Sequence, residues 1–410
     1  MAEEIRTKAV GLIANADTEE LKQLVTTLLS DDSRQNMAPA GLLVISTLLS
    51  QQVDGFCGTR GAPALTLSQE AIQELPEFIC NAVKAHPLKT TFDESDYVCR
   101  YAIFNYNKEC NDFKCAAETL CNLNLDSTVK RYTVEEKSDI LVTCAEAFLQ
   151  DEANDSAEMM CAKAARLISD VENNTPLLLR FRVIRAKVDD ANRKFVEAAR
   201  QYHELSNTVI LNIPTDEKLQ LLGLAVTCAV LGRAGPQRSR ILGLLYKDER
   251  LKDLATLNSY KSHASVLTKM YTERLLFTDE LTTFEQSLAA HQRAITSEGW
   301  TIVEKAVIEH NMLAASHVYD NISFSQLASL LRLDQAQAEK VAAKMVTEGR
   351  LVASIDQTEE LLIFAGNAMP LQSWDNRIRD VCSLVTDTVD KLTLRSPRLV
   401  DAGMDVEAEG

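Results

Sequence analysis

The six histidines, His86, His203, His263, His291, His310 and His317, are the residues best suited to hold a transition metal, and no two of them stand two apart. A hydrolytic zinc site needs a close imidazole pair, a carboxylate and a separate glutamate as base. His310 and His317 share one helix face beside Glu309 and Asp320, but two turns is too wide a gap for both to ligate one ion. They read as a structural pair. Cys110, Cys115 and Cys121 fall across a turn and around a helix, and read as small core residues. There is no G-x-S-x-G elbow, and the glycines form no Walker or dinucleotide pattern. The chain is therefore expected to carry no catalytic, cofactor-binding or metal site of its own. The strongest charged patch runs through Gln237, Arg238, Ser239 and Arg240 to Lys247, Glu249 and Arg250. It is either a solvated face with i, i+4 pairs or a contact to an acidic neighbour.

The local signals from Asn321 to Gly366 spell strand, helix, turn, helix and a strand pair, the order of a winged helix. Ser325 can cap a short helix carrying Leu327, Leu330 and Leu331, and Asp334 opens a second one with Gln337 as its capping-box partner. That second helix buries Ala338, Val341, Ala342 and Met345. Gly349 falls where a positive φ ends the helix, and Leu351, Ala353 and Ile355 then alternate into the strand run ELLIF. Leu361 and Ile363 lie on one face of that run and Leu362 and Phe364 on the other, which implies cover on both sides. Four basic and six acidic residues give the segment a net charge of −2. A winged helix that reads DNA needs the opposite sign, so its sheet reads as a protein-docking surface.

Upstream, three helix-turn-helix units are marked by NDFKCAAETL, NDSAEMMCAK and NRKFVEAARQ, with offsets of 43 and 38 residues between the asparagines Asn111, Asn154 and Asn192. That period belongs to stacked helical pairs. Residues 1 to 95 also read as helical, with a loop near Gly55 to Pro63. Downstream, Trp374, Ile378, Val381, Val385, Thr388 and Leu392 advance by 4, 3, 4, 3, 4, a heptad seam that must be covered, either by a partner or by the chain's own solenoid. A formal charge of −16 argues against nucleic acid and anionic membrane as partners. The N-terminus leads into no apolar signal core, no stretch is long and apolar enough to span a bilayer, and ten cysteines at irregular spacing read as reduced thiols.

A winged helix that ends a helical-repeat solenoid resembles the PCI domain of the proteasome lid, the COP nine signalosome and translation initiation factor three. The phrases KFVEAARQYHELS from Lys194, GPQRSRILGLLYKDER from Gly235, KAVIEHNMLAASHVYDNISFSQLASLL from Lys305 and AEKVAAKMVTEGRLVASIDQ from Ala338 narrow the resemblance to the fourth-subunit family of the signalosome. It covers about Val98 to Leu394; the first 95 residues and the tail depart from it.

The resemblance implies a mostly α chain: a right-handed α-solenoid of TPR-like helical repeats ending in a winged helix (the PCI domain), followed by a C-terminal bundle helix. The expected division is an N-terminal arm (1–200), a PCI domain (201–366, with its helical part 201–297 and winged helix 298–366), a bundle helix (367–396) and an acidic disordered tail (397–410). It further implies a non-catalytic subunit of the complex that removes the ubiquitin-like modifier Nedd from cullins. Its partners would be other PCI subunits, the metalloprotease subunit and, as substrate, a cullin-RING ligase, in cytoplasm and nucleus. The winged-helix edge would use Leu351, Ala353, Ile355, Leu362 and Phe364; the bundle seam would use Trp374, Ile378, Val381, Val385 and Leu392. A PCI subunit of the proteasome lid is the alternative, and a nucleic-acid-binding PCI protein a more distant one.

Overall fold

The computed structural model describes residues 2–30, 38–57, 67–127, 129–169, 171, 175–208, 213–254, 257, 260–296, 299–364 and 370–395. Most of the Gly55 to Pro63 loop and all of the 397–410 tail lie outside them. The chain forms two compact units that are not separated by a single cut. The first holds residues 1–232, 241–267 and 283–294; the second holds 233–240, 268–282 and 295–410.

The first unit is helical throughout its described residues. Helices α1 (Ala2–Ala14), α2 (Thr18–Ser30), α3 (Ala38–Phe56) and α4 (Gln69–Ala85) close one core with α5 (Asp93–Glu109), centred on Leu21, Leu42, Ile45, Ile72 and Ile79. From α5 the chain repeats as helix pairs: α5 with α6 (Phe113–Cys121), α7 (Val134–Gln150) with α8 (Asn154–Ile168), and α9 (Thr175–Ala191) with α10 (Phe195–Asn207). The first helix of every pair has 17 residues. Their starts, at 93, 134 and 175, are separated by 41 residues both times.

This period corrects the uneven offsets read from the asparagines, because the repeating feature is a backbone conformation. Asn111, Glu152 and Arg193 all take a left-handed φ, at 61°, 62° and 60°. The residue after each sends its N–H five positions back: Asp112 to Asn107 O, Ala153 to Phe148 O, Lys194 to Asp189 O. Such a turn depends on the chain path and leaves residue type free where a side chain is tolerated. In the same register Ala116, Ala157 and Ala198 coincide, all fully buried. A methyl group there lets neighbouring helices close on each other, and a longer side chain would overpack the interface. Each first helix carries a buried stripe, with Ile140, Cys144, Ala147 and Phe148 on α7 and Leu177, Phe181, Ile184 and Val188 on α9.

Cys110 and Cys115 are exposed, contrary to the expectation that they fill the core. Cys110 caps α5, and Cys115 sits in the first turn of α6, off the Ala116, Ala117 and Leu120 stripe.

After α10 the chain continues through α11 (Thr215–Leu231), α12 (Pro236–Tyr246), α13 (Leu251–Leu254), α14 (His263–Tyr271) and α15 (Thr278–Gln286). Gly223, on α11, is where the Tyr260 ring comes in; a Cβ would stand 2.6 Å from Tyr260 Cε1. His263 is fully buried between the rings of Tyr260 and Phe284. Thr227 Oγ1 donates to the Gly223 carbonyl at 3.0 Å, so it accepts from His263 Nε2–H, also at 3.0 Å. That leaves Nδ1 deprotonated and without a partner. Burial pushes His263 down to about 4. His310 in the second unit is also lowered to about 4, first by burial and then by the nearby Arg238 guanidinium.

Both imidazoles fold neutral. Between the unfolded value near 6.5 and the folded value near 4, the unfolded chain binds protons that the folded chain refuses. Stability is therefore full above pH 6.5 and falls as pH drops towards 4, by roughly 3 kcal/mol for each histidine once complete. Thermal unfolding followed from pH 7.5 to 5 should show a falling Tm. His263→Gln should make that slope shallower; an unchanged slope would remove His263 as a cause.

The second unit holds α16 (Ile302–Val318), β1 (Asn321–Ser323), α17 (Phe324–Leu331), α18 (Gln335–Thr347), β2 (Ala353–Asp356), β3 (Leu361–Phe364) and α19 (Pro370–Arg395). This is the anticipated winged helix. Gln337 Oε1 accepts from the Asp334 N–H at 3.4 Å, and Gly349 has a φ of +67°. The cap of α17 is Ser323, whose Oγ accepts from the Gln326 N–H at 3.3 Å; Ser325 lies inside the first turn. The strand's last residue is itself the cap, so no linker separates β1 from α17. Helices α16, α17 and α18 and the inner sheet face share a core of Met312, Phe324, Leu327, Ala342, Met345 and Leu362.

Candidate partner-docking site

Three consecutive residues of α16, Glu309, His310 and Asn311, tie the second unit together, and the first two are among the residues weighed above for metal chemistry. Glu309 accepts from both Arg350 Nη1, at 2.5 Å, and Nη2, at 3.2 Å, and from the Ala234 N–H at 3.3 Å. His310 Nε2 stands 2.9 Å from the Arg274 carbonyl, which requires the ring to donate there. Asn311 closes a two-way clasp on the Leu276 backbone, accepting from its N–H at 2.9 Å and donating to its carbonyl at 2.8 Å. All three side chains are buried. Their work is to fasten residues 233–240 and 268–282 to the winged helix. His317 instead reaches Glu273 at 3.3 Å.

The charged patch beginning at Gln237 is also partly internal. Arg238 is 3% exposed, with Nη2 2.9 Å from Met270 Sδ. Burial lowers its pKa to about 10, and the Glu309 carboxylate opposes that shift. Arg250, in the first unit, binds Asp248, the Ser206 carbonyl and Asn207. The solvated-face reading thus holds for Gln237, Ser239, Arg240, Lys247 and Glu249, while the α12 turn that exposes the first three points Arg238 inward.

The sheet order is β1-β3-β2, antiparallel throughout. Ile363 pairs with Asn321 and Ser354, and Leu362 with Ile322 and Ile355. Being central, β3 has its main chain paired on both sides, and the outer edge of β2 is open within the sheet. Leu351, Leu362 and Phe364, expected at the partner-facing edge, have their side chains in the core. Ala353 and Ile355 are half-buried against that core. The surface a partner can reach is therefore the β2 main chain, together with Val352 and Ile363, which are 71% and 41% exposed. Neither was singled out as a contact from the sequence; Ile363 lies on the face that the alternation left for a partner or a preceding domain to cover. Strand order depends on how the chain closes, which alternation does not encode.

The wing between β2 and β3 turns on Asp356, whose Oδ1 accepts from the Thr358 and Glu359 N–H groups at 2.9 and 3.3 Å. Gln335 Nε2 binds Glu360, and Gln357 Nε2 binds Glu339, both at 2.9 Å. The start of α18, which in a DNA reader meets base edges, is here bonded to an acidic wing.

Helix α19 spans 26 residues, about 39 Å at 1.5 Å per residue. Every side chain described on it is exposed. Trp374, Ile378, Val381 and Val385 expose 66%, 54%, 59% and 56% of their surface. Leu384 and Val389, outside the heptad positions, widen the stripe and are 66% and 49% exposed. Leu392 is on the same helix, with its side chain outside the described residues. Covering six such side chains is worth on the order of 10 kcal/mol before ordering costs. Among the described residues these side chains remain exposed.

Helical repeats, a winged helix whose sheet has an unpaired outer strand, and a terminal helix with its apolar stripe in water define a PCI-domain protein. The profile of the PCI domain matches residues 284–365, and that described as "PSMD12/CSN4, N-terminal" matches residues 94–213. The COP9 signalosome complex subunit 4 of Drosophila melanogaster is 32% identical over 409 residues, 97% of either chain. Its namesake in Dictyostelium discoideum is 35% identical over 329 residues, 80% of either chain. In Arabidopsis thaliana the figures are 33% over 386 residues, 93% of this chain and 91% of that one. The chain belongs to the COP9 signalosome complex subunit 4 family.

Proposed function

We propose that the chain is a non-catalytic scaffold and substrate-sensing subunit of the COP9 signalosome, acting within a complex that removes the Nedd modifier from cullins and so regulates cullin-RING ubiquitin ligases. The observation that carries this reading is α19: its apolar stripe is exposed among the described residues, as a subunit's assembly helix requires. The open edge of β2 adds a second contact, since an unpaired strand offers a row of main-chain groups to another sheet. Other PCI subunits are the partners of these two surfaces, and the metalloprotease subunit supplies the chemistry. A cullin-RING ligase is the substrate, and the complex works in cytoplasm and nucleus. The net charge of −2 on the winged helix and the acidic wing favour protein over nucleic acid as the ligand.

One of the two matching profiles is shared in its description by two proteins, so the proteasome lid is the competing assembly. The relatives that match most of the chain carry the signalosome name. Tagging the chain, purifying it gently from its own cells and identifying what copurifies by mass spectrometry separates the two. Other PCI subunits with a cullin-deneddylating metalloprotease are expected; proteasomal ATPases and ubiquitin-processing lid subunits would move the chain to the lid.

A further inference from the structure

Helices α16 and α18 of the second unit leave a cleft between them of about 560 Å³, its open mouth included. Ile308 of α16 and Val341 and Met345 of α18 form an apolar floor, all three buried. Trp300 makes a wall, half-buried against the same core. Its backbone is pinned: the Trp300 carbonyl accepts from the Thr296 N–H at 2.7 Å and from Thr296 Oγ1 at 2.9 Å, and the next residue, Thr301, caps α16. The two most buried charges in the lining, Glu309 and Arg350, are paired with each other. Above them the lining is cationic, with Lys305 of α16 half-exposed and Lys340 and Lys344 of α18 exposed. Four residues apart, the last two share one helix face. Charge in this domain is sorted around the cleft. Of the four basic residues between Asn321 and Gly366, three line it, Lys340, Lys344 and Arg350; none of the six acidic ones does.

We propose that this cleft binds an acidic segment of a partner protein, with one aromatic or aliphatic side chain seated on Ile308, Val341 and Met345 beside Trp300, and flanking carboxylates held by Lys305, Lys340 and Lys344. The complementarity is of two kinds. An apolar floor with an aromatic wall takes up a large side chain and excludes water around it, and the size of the cleft suits one such anchor with its neighbours. The lysines take carboxylates at the mouth, where a flexible ammonium can follow them without leaving solvent. The sorting of charge also selects the length of the ligand. A long polyanion would meet the negative charge of the rest of the domain, whereas a short acidic segment carries its charge only where the lysines stand. None of the lining residues belongs to α19 or to β2, so the cleft is distinct from the two assembly surfaces described above.

The chain has two tryptophans, Trp300 and Trp374. In the full chain carrying Trp374→Phe, tryptophan emission therefore reports from the cleft alone. The probe is the acetylated and amidated peptide EEFEE, with EEGEE and KKFKK as controls. EEFEE should change the emission saturably, bind about tenfold tighter than EEGEE and weaken as sodium chloride is added. KKFKK should leave the emission unchanged. Lys340→Glu with Lys344→Glu should weaken EEFEE by about tenfold or more, and the milder pair Lys340→Gln with Lys344→Gln several-fold, with the circular dichroism spectrum unchanged. No saturable response to EEFEE, equal affinity for EEGEE, or undiminished binding by both lysine variants would overturn the proposal. So would tighter binding of a single-stranded oligonucleotide of the same charge, which would make the ligand a nucleic acid. Tighter binding of the peptide LVDAGMDVEAEG, residues 399–410 of this chain, would overturn it too, because the occupant would then be internal. The free chain is used throughout, so the result is independent of whether the chain assembles as proposed above.

Discussion

Replacing Ile378, Val381 and Val385 together by aspartate should remove the chain from its complex while leaving its own fold intact. Each of the three exposes more than half of its surface in the free chain, so the substitutions unpack nothing there. Their local cost is helix propensity, roughly 0.5 kcal/mol per residue. In an assembled bundle the same positions would face apolar neighbours. There three carboxylates lose the burial gain and must be desolvated or protonated, at a few kcal/mol each. A total above about 6 kcal/mol corresponds to more than 10,000-fold in affinity. The expected result is loss of copurifying subunits, with the circular dichroism spectrum and Tm held close to the native values. Unchanged assembly would refute the docking role of α19, and a chain that unfolds would show that the stripe is covered internally.

Much of this architecture was legible because its signals are local. The caps and stripes of the winged helix, the glycine that ends α18 and the apolar faces of α7 to α10 all lie within a few residues of what they control. The heptad seam was legible for the same reason. What escaped depends on closure. Leu362 and Ile363 are adjacent and equally apolar, yet one is fully buried and the other is bare, because only one face of β3 meets the helices. Arg238 sits in a run that looks like a solvated face, and nothing within that run indicates that Met270 and Glu309 will enclose it. Glu309 and His310 resembled metal chemistry for a physical reason: buried polar side chains are required both by active sites and by a fold that fastens distant segments through their backbone groups.

Glu309→Ala should be the most damaging single substitution in the second unit. The carboxylate is 3% exposed and takes hydrogen bonds from Arg350 and from the backbone of Ala234, while its charge also acts on Arg238. Removing it leaves the guanidinium of Arg350, itself largely buried, with the more exposed Glu348 as its remaining carboxylate, so the cost approaches but does not exceed the roughly 3–5 kcal/mol of breaking a buried pair from one side. The double variant Glu309→Ala, Arg350→Met separates this cause from simple loss of packing. If the penalty is mainly the stranded charge, removing it should return part of the stability, so the double variant will be less destabilised than the sum of the two single ones. Urea unfolding of the four chains gives that coupling directly, and hydrogen exchange in residues 321–364 shows whether the loss falls on the winged helix. A cost below about 1 kcal/mol, or additive effects, would mean that the ion pair does not hold this unit together. A large coupling would have a functional corollary. The open edge of β2 is rigid only while Arg350, three residues before that strand, is held by Glu309, so a destabilised variant should lose assembly at temperatures where the first unit remains folded.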